Sequence, residues 1–275
     1  MWRGLYTAAA GMITETKRTD TLANNLANAD TTGFKRDEAI NREFEPMLIK
    51  RINDGIDRRY DVTSFKGFHL GDAIPTVGTL GLGSYIDEIG TNHEQGGLQT
   101  TGNPLDLAIV GDGYFAIQTP QGVRYTRNGS FFKGQNGELQ TVNGQRVLAR
   151  GGRGGITIPQ EATDITVTAT GEVWATLPGQ DGQARLGQLE LVSFGPDPRA
   201  VLKQGDSLYY PQEGARPQAA TGTIEQGVLE NSNVNVVSDM VMLIANHRVY
   251  EAGSKAVTTQ DAMLDKAVNE IGTVS

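Results

Sequence analysis

The segment Gly111-Asp112-Gly113-Tyr114-Phe115-Ala116 follows an apolar run and fits the G-x-G-x-x-A spacing of a dinucleotide-binding turn. That chemistry requires a helix immediately afterwards, because the pyrophosphate rests on a helix N-terminus. Here the chain alternates for a few residues and turns at Pro120-Gln121-Gly122, so the spacing predicts a β-hairpin and no nucleotide site. Asp106 and Asp112 flank the same apolar run and have the residue types of a glycosidase carboxylate pair. Aspartates beside turns are more often turn formers, and that reading is preferred. His69, His93 and His247 are scattered without metal-ligand spacing, and His93-Glu94 has no second histidine one turn on. Along one helix, His247, Ser254 and Asp261 are seven apart, ~10 Å per step at 1.5 Å rise per residue, too far for a triad. The stretch from Arg150 to Gly155 reads RGGRGG, a weak hint of RNA binding. Trp174 and Tyr114, if exposed, would suit a cell-wall-binding β module.

Composition argues against most of these chemistries. The 275 residues carry a net charge of −8 with a pI of about 5.0, and no basic stripe interleaved with aromatics, which argues against nucleic acid as a partner. No cysteine is present, so disulfides and thiolate metal sites are excluded, and no cofactor is expected. No apolar run approaches the ~20 residues needed to cross a bilayer, so membrane insertion is not expected. The opening Met1-Trp2-Arg3 and the mild stretch Leu5 to Ile13 make a poor cleavable signal. If the chain leaves the cytosol, a conventional cleaved signal is not the expected route.

The positioning elements are legible as a pattern. Residues 3–30 look helical, with Leu5, Met12, Leu22 and Leu26 on a periodic apolar face and Gly33 placed to close the helix. From 236 to 271 two columns alternate at four and three residues. One is Val236, Leu243, Tyr250, Val257, Leu264 and Ile271; the other is Met240, His247, Ser254, Asp261 and Val268. A helix cannot bury its own stripe, so both helices want partners. Asn231 to Asn235 supplies caps for the last helix. Between the helices, residues 34–85 read as short extended pieces, with 43–52 open to helix or strand around Pro46.

The middle reads as strands: Leu105–Val110, Tyr114–Ile117, Val123–Thr126, Ile156–Ile158, Ile165–Val167, Val173–Ala175 and Gln188–Phe194. Asn128-Gly129, Asn136-Gly137 and Asn143-Gly144 are hairpin signals. The chain from Pro196 to about Ala220 reads as loop. The fold class expected is α+β, with terminal helices around a β-rich middle.

Three blocks resemble the bacterial flagellar axial proteins, most closely the basal-body rod proteins of the FlgF/FlgG type. They are LYTAAAGM (5–12) with NNLANADTTGFKR (24–36), then NPLDLAIVGDGYFAIQTPQGVRYTRNGSF (103–131) closing with ITIP (156–159), and QGVLENSNVNVVSDMVMLIANHRVYEAGSKAVTTQDAMLDKAV (226–268). Together they cover about half the chain, in the family's order.

The resemblance implies a non-enzymatic structural subunit. Residues 1–35 and 231–275 would pair as an inner helical coiled coil, 36–84 would connect, and 85–230 would form the outer β-rich domain. It implies helical stacking into a hollow rod that transmits torque and passes later subunits. The partners implied are further copies, other rod and hook subunits, and the flagellar type III export apparatus. The implied location is the basal body in the cell envelope. The expected assembly core is Leu5, Met12, Leu22, Leu26, Val236, Met240, Leu243, His247, Tyr250, Val257 and Leu264. A hook-type axial subunit is the alternative within the class. Outside it stand a cell-wall-binding β module and a hydrolase built on Asp106 or Asp112.

Overall fold

A computed structural model describes residues 2–50, 64–65, 68–69, 76–151, 154–178, 182–195 and 197–269. The fold is α+β: a helix at each end and strands between. The chain divides into two compact units. One comprises Met1–Thr19, Ile40–Glu88 and Ala245–Ser275; the other comprises Asp20–Ala39 and Ile89–Ile244.

Helix α1 (Trp2–Ala27) and helix α2 (Val236–Asn269) each contribute to both units. The first unit also holds short strands. These are β1 (Asp37–Glu43, shared with the second unit), β2 (Met47–Lys50), β3 (Ser64–Phe65), β4 (Phe68–His69), β5 (Thr76–Leu80) and the start of β6 (Ser84–Thr91). Strand β2 begins directly after Pro46, whose missing N–H a strand start tolerates, and pairs antiparallel with β5. Strands β1 and β6 form a two-stranded ladder. Thr14 is buried on α1 and bonds outside its helix: its Oγ1 donates to Ser84 O at 2.9 Å. Thr7 does the same to Leu82 O at 3.3 Å.

The second unit is the β body. Its strands are β7 (Leu98–Thr100), β8 (Leu107–Val110), β9 (Tyr114–Thr119), β10 (Gly122–Thr126), β11 (Phe131–Lys133), β12 (Leu139–Thr141) and β13 (Arg146–Val147). They continue with β14 (Asp164–Val167), β15 (Glu172–Thr176), β16 (Gln183–Gln188), β17 (Leu191–Ser193), β18 (Val201–Gly205), β19 (Leu208–Pro211), β20 (Gln218–Ala219), β21 (Thr223–Gln226) and β22 (Val228–Glu230).

The largest sheet runs β11-β12-β13-β9-β10-β19-β18, with β17 also on β9 and β20 on β17. Strand β9 is its spine and is buried on both faces. Phe115 and Ile117 enter one core with Leu107, Ile109, Phe131 and Leu139, while Tyr114 and Ala116 enter a second with Tyr125, Val192 and Tyr209. Each such aliphatic or aromatic burial is worth about 1.5–3 kcal/mol. Separate ladders join β14-β15-β16, β8-β21 and β7-β22.

Several expectations are corrected. The helix of residues 3–30 ends at Ala27, and Gly33, although left-handed at φ +67°, does not cap it. Residues 156–158 make only an isolated bridge, Glu138 to Thr157, with Ile156 and Ile158 buried as core. The expected strand 188–194 is split between β16 and β17. The expected loop between Pro196 and Ala220 contains β18, β19 and β20, which turn at Asp206-Ser207 in left-handed backbone without glycine at those two positions. That hairpin lacks the Asn-Gly signal by which such turns are read. The hairpin expected after Gly111–Ala116 is present as β9–β10, register Gly122 to Thr119. Asn136-Gly137 and Asn143-Gly144 turn the chain between β11, β12 and β13, whereas Asn128-Gly129 lies in a link between β10 and β11. Ile271 and much of the connecting stretch, 51–63, 66–67 and 70–75, lie outside the described residues.

Candidate functional site

Within the β body, three chain segments meet at one buried charge pair. Lys35 Nζ donates to Glu230 Oε1 at 2.6 Å and to Glu94 O at 2.7 Å. Both side chains of the pair are 0% exposed. Gly96 N donates to the same Glu230 oxygen at 3.0 Å, and Arg127 Nη1 stands 3.6 Å from Glu230 Oε2. Burial pushes the Lys35 ammonium below its ordinary range, and the Glu230 carboxylate opposes that shift. A charge in such a place is tolerated only because it is paired and hydrogen-bonded.

Backbone bonds knit the segments around the pair. Gly33 N donates to Glu230 O at 2.7 Å, Asn231 N to Gly97 O at 2.8 Å, and Asn92 N to Arg36 O at 2.9 Å. Asn233 spans all three: its Oδ1 accepts from Arg36 N at 2.7 Å, and its Nδ2 donates to Asn92 O at 2.9 Å and Glu94 O at 3.1 Å. Gly33 must be glycine, because a Cβ there would lie 2.6 Å from the Arg127 carbonyl carbon. Asn25 ties the end of α1 to the start of β1, donating to Asp37 O at 2.8 Å and accepting from Asp37 N at 2.9 Å. Lys203 covers the cluster: its Nζ donates to Lys35 O at 2.8 Å and Asp37 Oδ2 at 3.0 Å, and sits 3.6 Å from the Phe34 ring centre.

His93 lies beside this junction. Tyr114 Oη stands 3.0 Å from its Nδ1, and Pro198 O stands 3.2 Å from its Nε2. With Asp112, Arg127 and Asp197 they line a polar cavity of about 100 Å³. Burial holds His93 below the usual imidazole range, with the Lys35 and Arg127 cations adding to that effect. Burial likewise pushes Tyr114 up to about 12. The arrangement fixes chain segments; Asp112 is engaged by Ser193 Oγ, and Asp106 accepts from Thr101 Oγ1 at 2.7 Å and Asn103 Nδ2 at 3.1 Å. Asp106 therefore serves its local turn, and Asp112 ties the turn before β9 to β17. Tyr114 is 5% exposed and Trp174 half-buried, which removes the aromatic platform of the wall-binding reading. Of the RGGRGG stretch, residues 152–153 lie outside the described residues, and Gly151 N is bonded to Glu190 Oε2.

In the first unit α1 and α2 touch at small residues. A Cβ on Gly4 would meet Gln260 Nε2 at 2.2 Å, and one on Gly253 would meet Met12 Cγ at 2.8 Å and Ala8 O at 3.7 Å. The contacts run in opposite chain directions, so the helices are antiparallel here. The α2 column at this contact is Gly253 and Gln260, one position before the sequence column of Ser254 and Asp261. Polar and small types gave it no apolar signal.

Of the expected assembly residues, Leu5, Met12, Leu22, Leu26, Leu243, Val257 and Leu264 are half-buried, while Val236, Met240, His247 and Tyr250 are exposed. His247 Nδ1 lies 3.5 Å from Glu251 Oε1 on the solvent side. The early part of α2 exposes apolar groups broadly: Val237 at 73%, Val241 at 62% and Ile244 at 54%, besides Val236 and Met240. Asn235 caps that helix, its Oδ1 accepting from Ser238 N at 3.1 Å. No helix among the described residues is long and apolar enough to cross a membrane.

An α+β chain with an apolar stretch of its last helix left open, and a buried ion pair joining the segments that flank its two helices, has the makings of an assembly subunit. Comparison with known proteins specifies the kind. Residues 5–35 match the flagella basal body rod protein model, 108–175 the flagellar hook protein FlgE/F/G D1 domain, and 225–270 the flagellar basal body rod FlgEFG protein C-terminal model. The chain is 36% identical to the flagellar basal-body rod protein FlgG of Agrobacterium fabrum over 95% of this chain and 96% of that one. It is 35% identical to the FlgG of Borreliella burgdorferi over 98% of each, and 31% to the flagellar hook-basal body complex protein FlhO of Bacillus subtilis over 100% of each. The chain belongs to the flagellar basal-body rod protein family, and that membership places it in the basal body of the bacterial flagellum.

Proposed function

We propose that this chain is a structural subunit of the flagellar rod that stacks helically with its own copies and with neighbouring rod and hook subunits. The terminal segments 1–35 and 231–275 form the inner coiled-coil layer, 36–84 connects, and 85–230 is displayed outside. The observation that carries the reading is the exposed apolar surface of early α2, Val237, Val241 and Ile244 above all. A helix apolar on several faces at once needs more than one neighbour. Contacts between unlike surfaces that do not close generate a filament. The hollow shaft so formed transmits torque and conducts later subunits, each delivered by the flagellar export apparatus. The near-complete coverage of rod relatives supports the rod over a hook-type subunit.

Sedimentation and negative-stain imaging of the full chain beside its Val241→Glu, Leu243→Glu and Leu264→Glu variants tests the reading. Rods or oligomers are expected only from the unaltered chain, with circular dichroism showing the β body folded in all four. Equal assembly by the variants overturns the reading.

A further inference from the structure

Three Asn-Gly pairs lie in the described β body, and their surroundings differ sharply. Gly129 is buried, with the position of a Cβ only 1.6 Å from Leu107 O, and Asn128 Oδ1 accepts from Thr32 Oγ1 at 2.9 Å and Ser130 N at 3.0 Å. Gly137 is buried beneath Ile158, whose N donates to Gly137 O at 2.6 Å. Asn143 and Gly144 are both exposed, nothing lies within 4 Å of a Cβ at Gly144, and the neighbouring Val142 is 66% exposed. The turn between β12 and β13 is held by Gly144 N to Thr141 O at 2.8 Å, Thr141 N to Gln145 O at 2.8 Å and Gln145 N to Thr141 Oγ1 at 3.2 Å. No apolar packing resists its opening, and loop tips of this kind open locally at low free energy.

We propose that Asn143-Gly144 is a spontaneous modification site, at which the folded chain deamidates through a succinimide while the other two pairs are protected. When the turn opens, the Gly144 amide nitrogen gives its proton to a base and attacks Asn143 Cγ. The new N–Cγ bond replaces the Cγ–Nδ2 bond, and the side-chain nitrogen leaves as ammonia after regaining a proton. Water then adds to either imide carbonyl, giving aspartate or isoaspartate; nothing is oxidised or reduced. Either product adds one negative charge to the hairpin tip. Isoaspartate also lengthens the backbone by one methylene, which breaks the pairing of Gln140 with Arg146. The change is irreversible, so the hairpin records the age of the molecule.

The full chain is aged in mildly alkaline buffer, digested, and read by peptide mass spectrometry with isoaspartyl methyltransferase labelling. Asn143→Gln is the control, because its longer side chain closes the ring slowly. In the folded protein the peptide with Asn143 is expected to convert at least about tenfold faster than those with Asn128 and Asn136, a margin set by local opening. In urea the three are expected to converge, and Asn143→Gln is expected to lose the isoaspartyl label. Conversion at Asn143 no faster than at Asn136 in the folded chain, or no conversion there until urea is added, overturns the proposal.

Discussion

Lys35 and Glu230 stand 195 positions apart and meet at 2.6 Å with neither side chain exposed. One follows the N-terminal helix and the other ends the strand before the C-terminal helix, so a single ion pair joins these two distant segments within the β body. Removing one partner strands the other as a buried charge, which costs about 3–5 kcal/mol. Glu230→Ala is therefore expected to lower the unfolding free energy, read from urea titration, by that order. The double variant Lys35→Met with Glu230→Leu is expected to recover much of the loss. Equal destabilisation in the single and double variants would show that the pair does not act as a pair.

Asn233 is the second fastener. It accepts from Arg36 N and donates to Asn92 O and Glu94 O, adding side-chain bonds to the few backbone bonds that join these three irregular segments. Asn233→Ala leaves these backbone groups without that partner, at a cost of about 1–3 kcal/mol for the first and less for any that water reaches. Hydrogen exchange is expected to speed up at Arg36 and in 92–97 and 231–235, while β9 and β10 keep their protection. Uniform loss of protection across the sheet would point to global unfolding.

Acid stability is expected to depend on His93. Burial lowers its pKa in the folded chain, so the unfolded chain takes up the proton first as pH falls. The stability tied to neutral His93 is present above the unfolded value of about 6.5 and declines as pH drops through and below it. A comparison of urea midpoints at neutral and mildly acid pH should show a smaller drop for His93→Gln than for the unaltered chain. At the alkaline end the sign reverses. Tyr114 is held up to about 12, so its burial favours the fold below the ordinary tyrosine value of about 10 and weakens it as pH climbs from there. Tyr114→Phe should flatten that alkaline loss in the same assay.

Legibility in the sequence followed the size of the local signal. Helices α1 and α2, the β9–β10 hairpin and the turns at Gly137 and Gly144 carry periodicity or turn chemistry that a single chain displays. The β18–β19 hairpin carries none, because Asp206 and Ser207 hold left-handed backbone that glycine or asparagine normally marks. The junction was visible only as motif residues: Asn25, Gly33, Lys35, Glu230 and Asn233 lie within the matched blocks, but nothing local says that a lysine will be buried 195 positions from its partner. The helix contact was hidden for another reason. Gly4, Gly253 and Gln260 are not the apolar types by which seams are read.

Gly253 is the sharpest test of that contact. Glycine inside a helix costs about 1 kcal/mol relative to alanine, so its place in the middle of α2 calls for a packing reason. Met12 supplies one, its Cγ lying 2.8 Å from where a Cβ would stand. Methionine is flexible enough to yield to one methyl, so Gly253→Ala is expected near neutral, the helix gain offsetting the crowding. Gly253→Leu overfills the notch and is expected to cost about 1–3 kcal/mol. Pairing it with Met12→Ala frees the space and should restore most of that loss. Thermal melts followed by helical circular dichroism, run on both singles and the double, read the coupling. Simple additivity of the two substitutions would mean that the helices do not meet at this notch in solution.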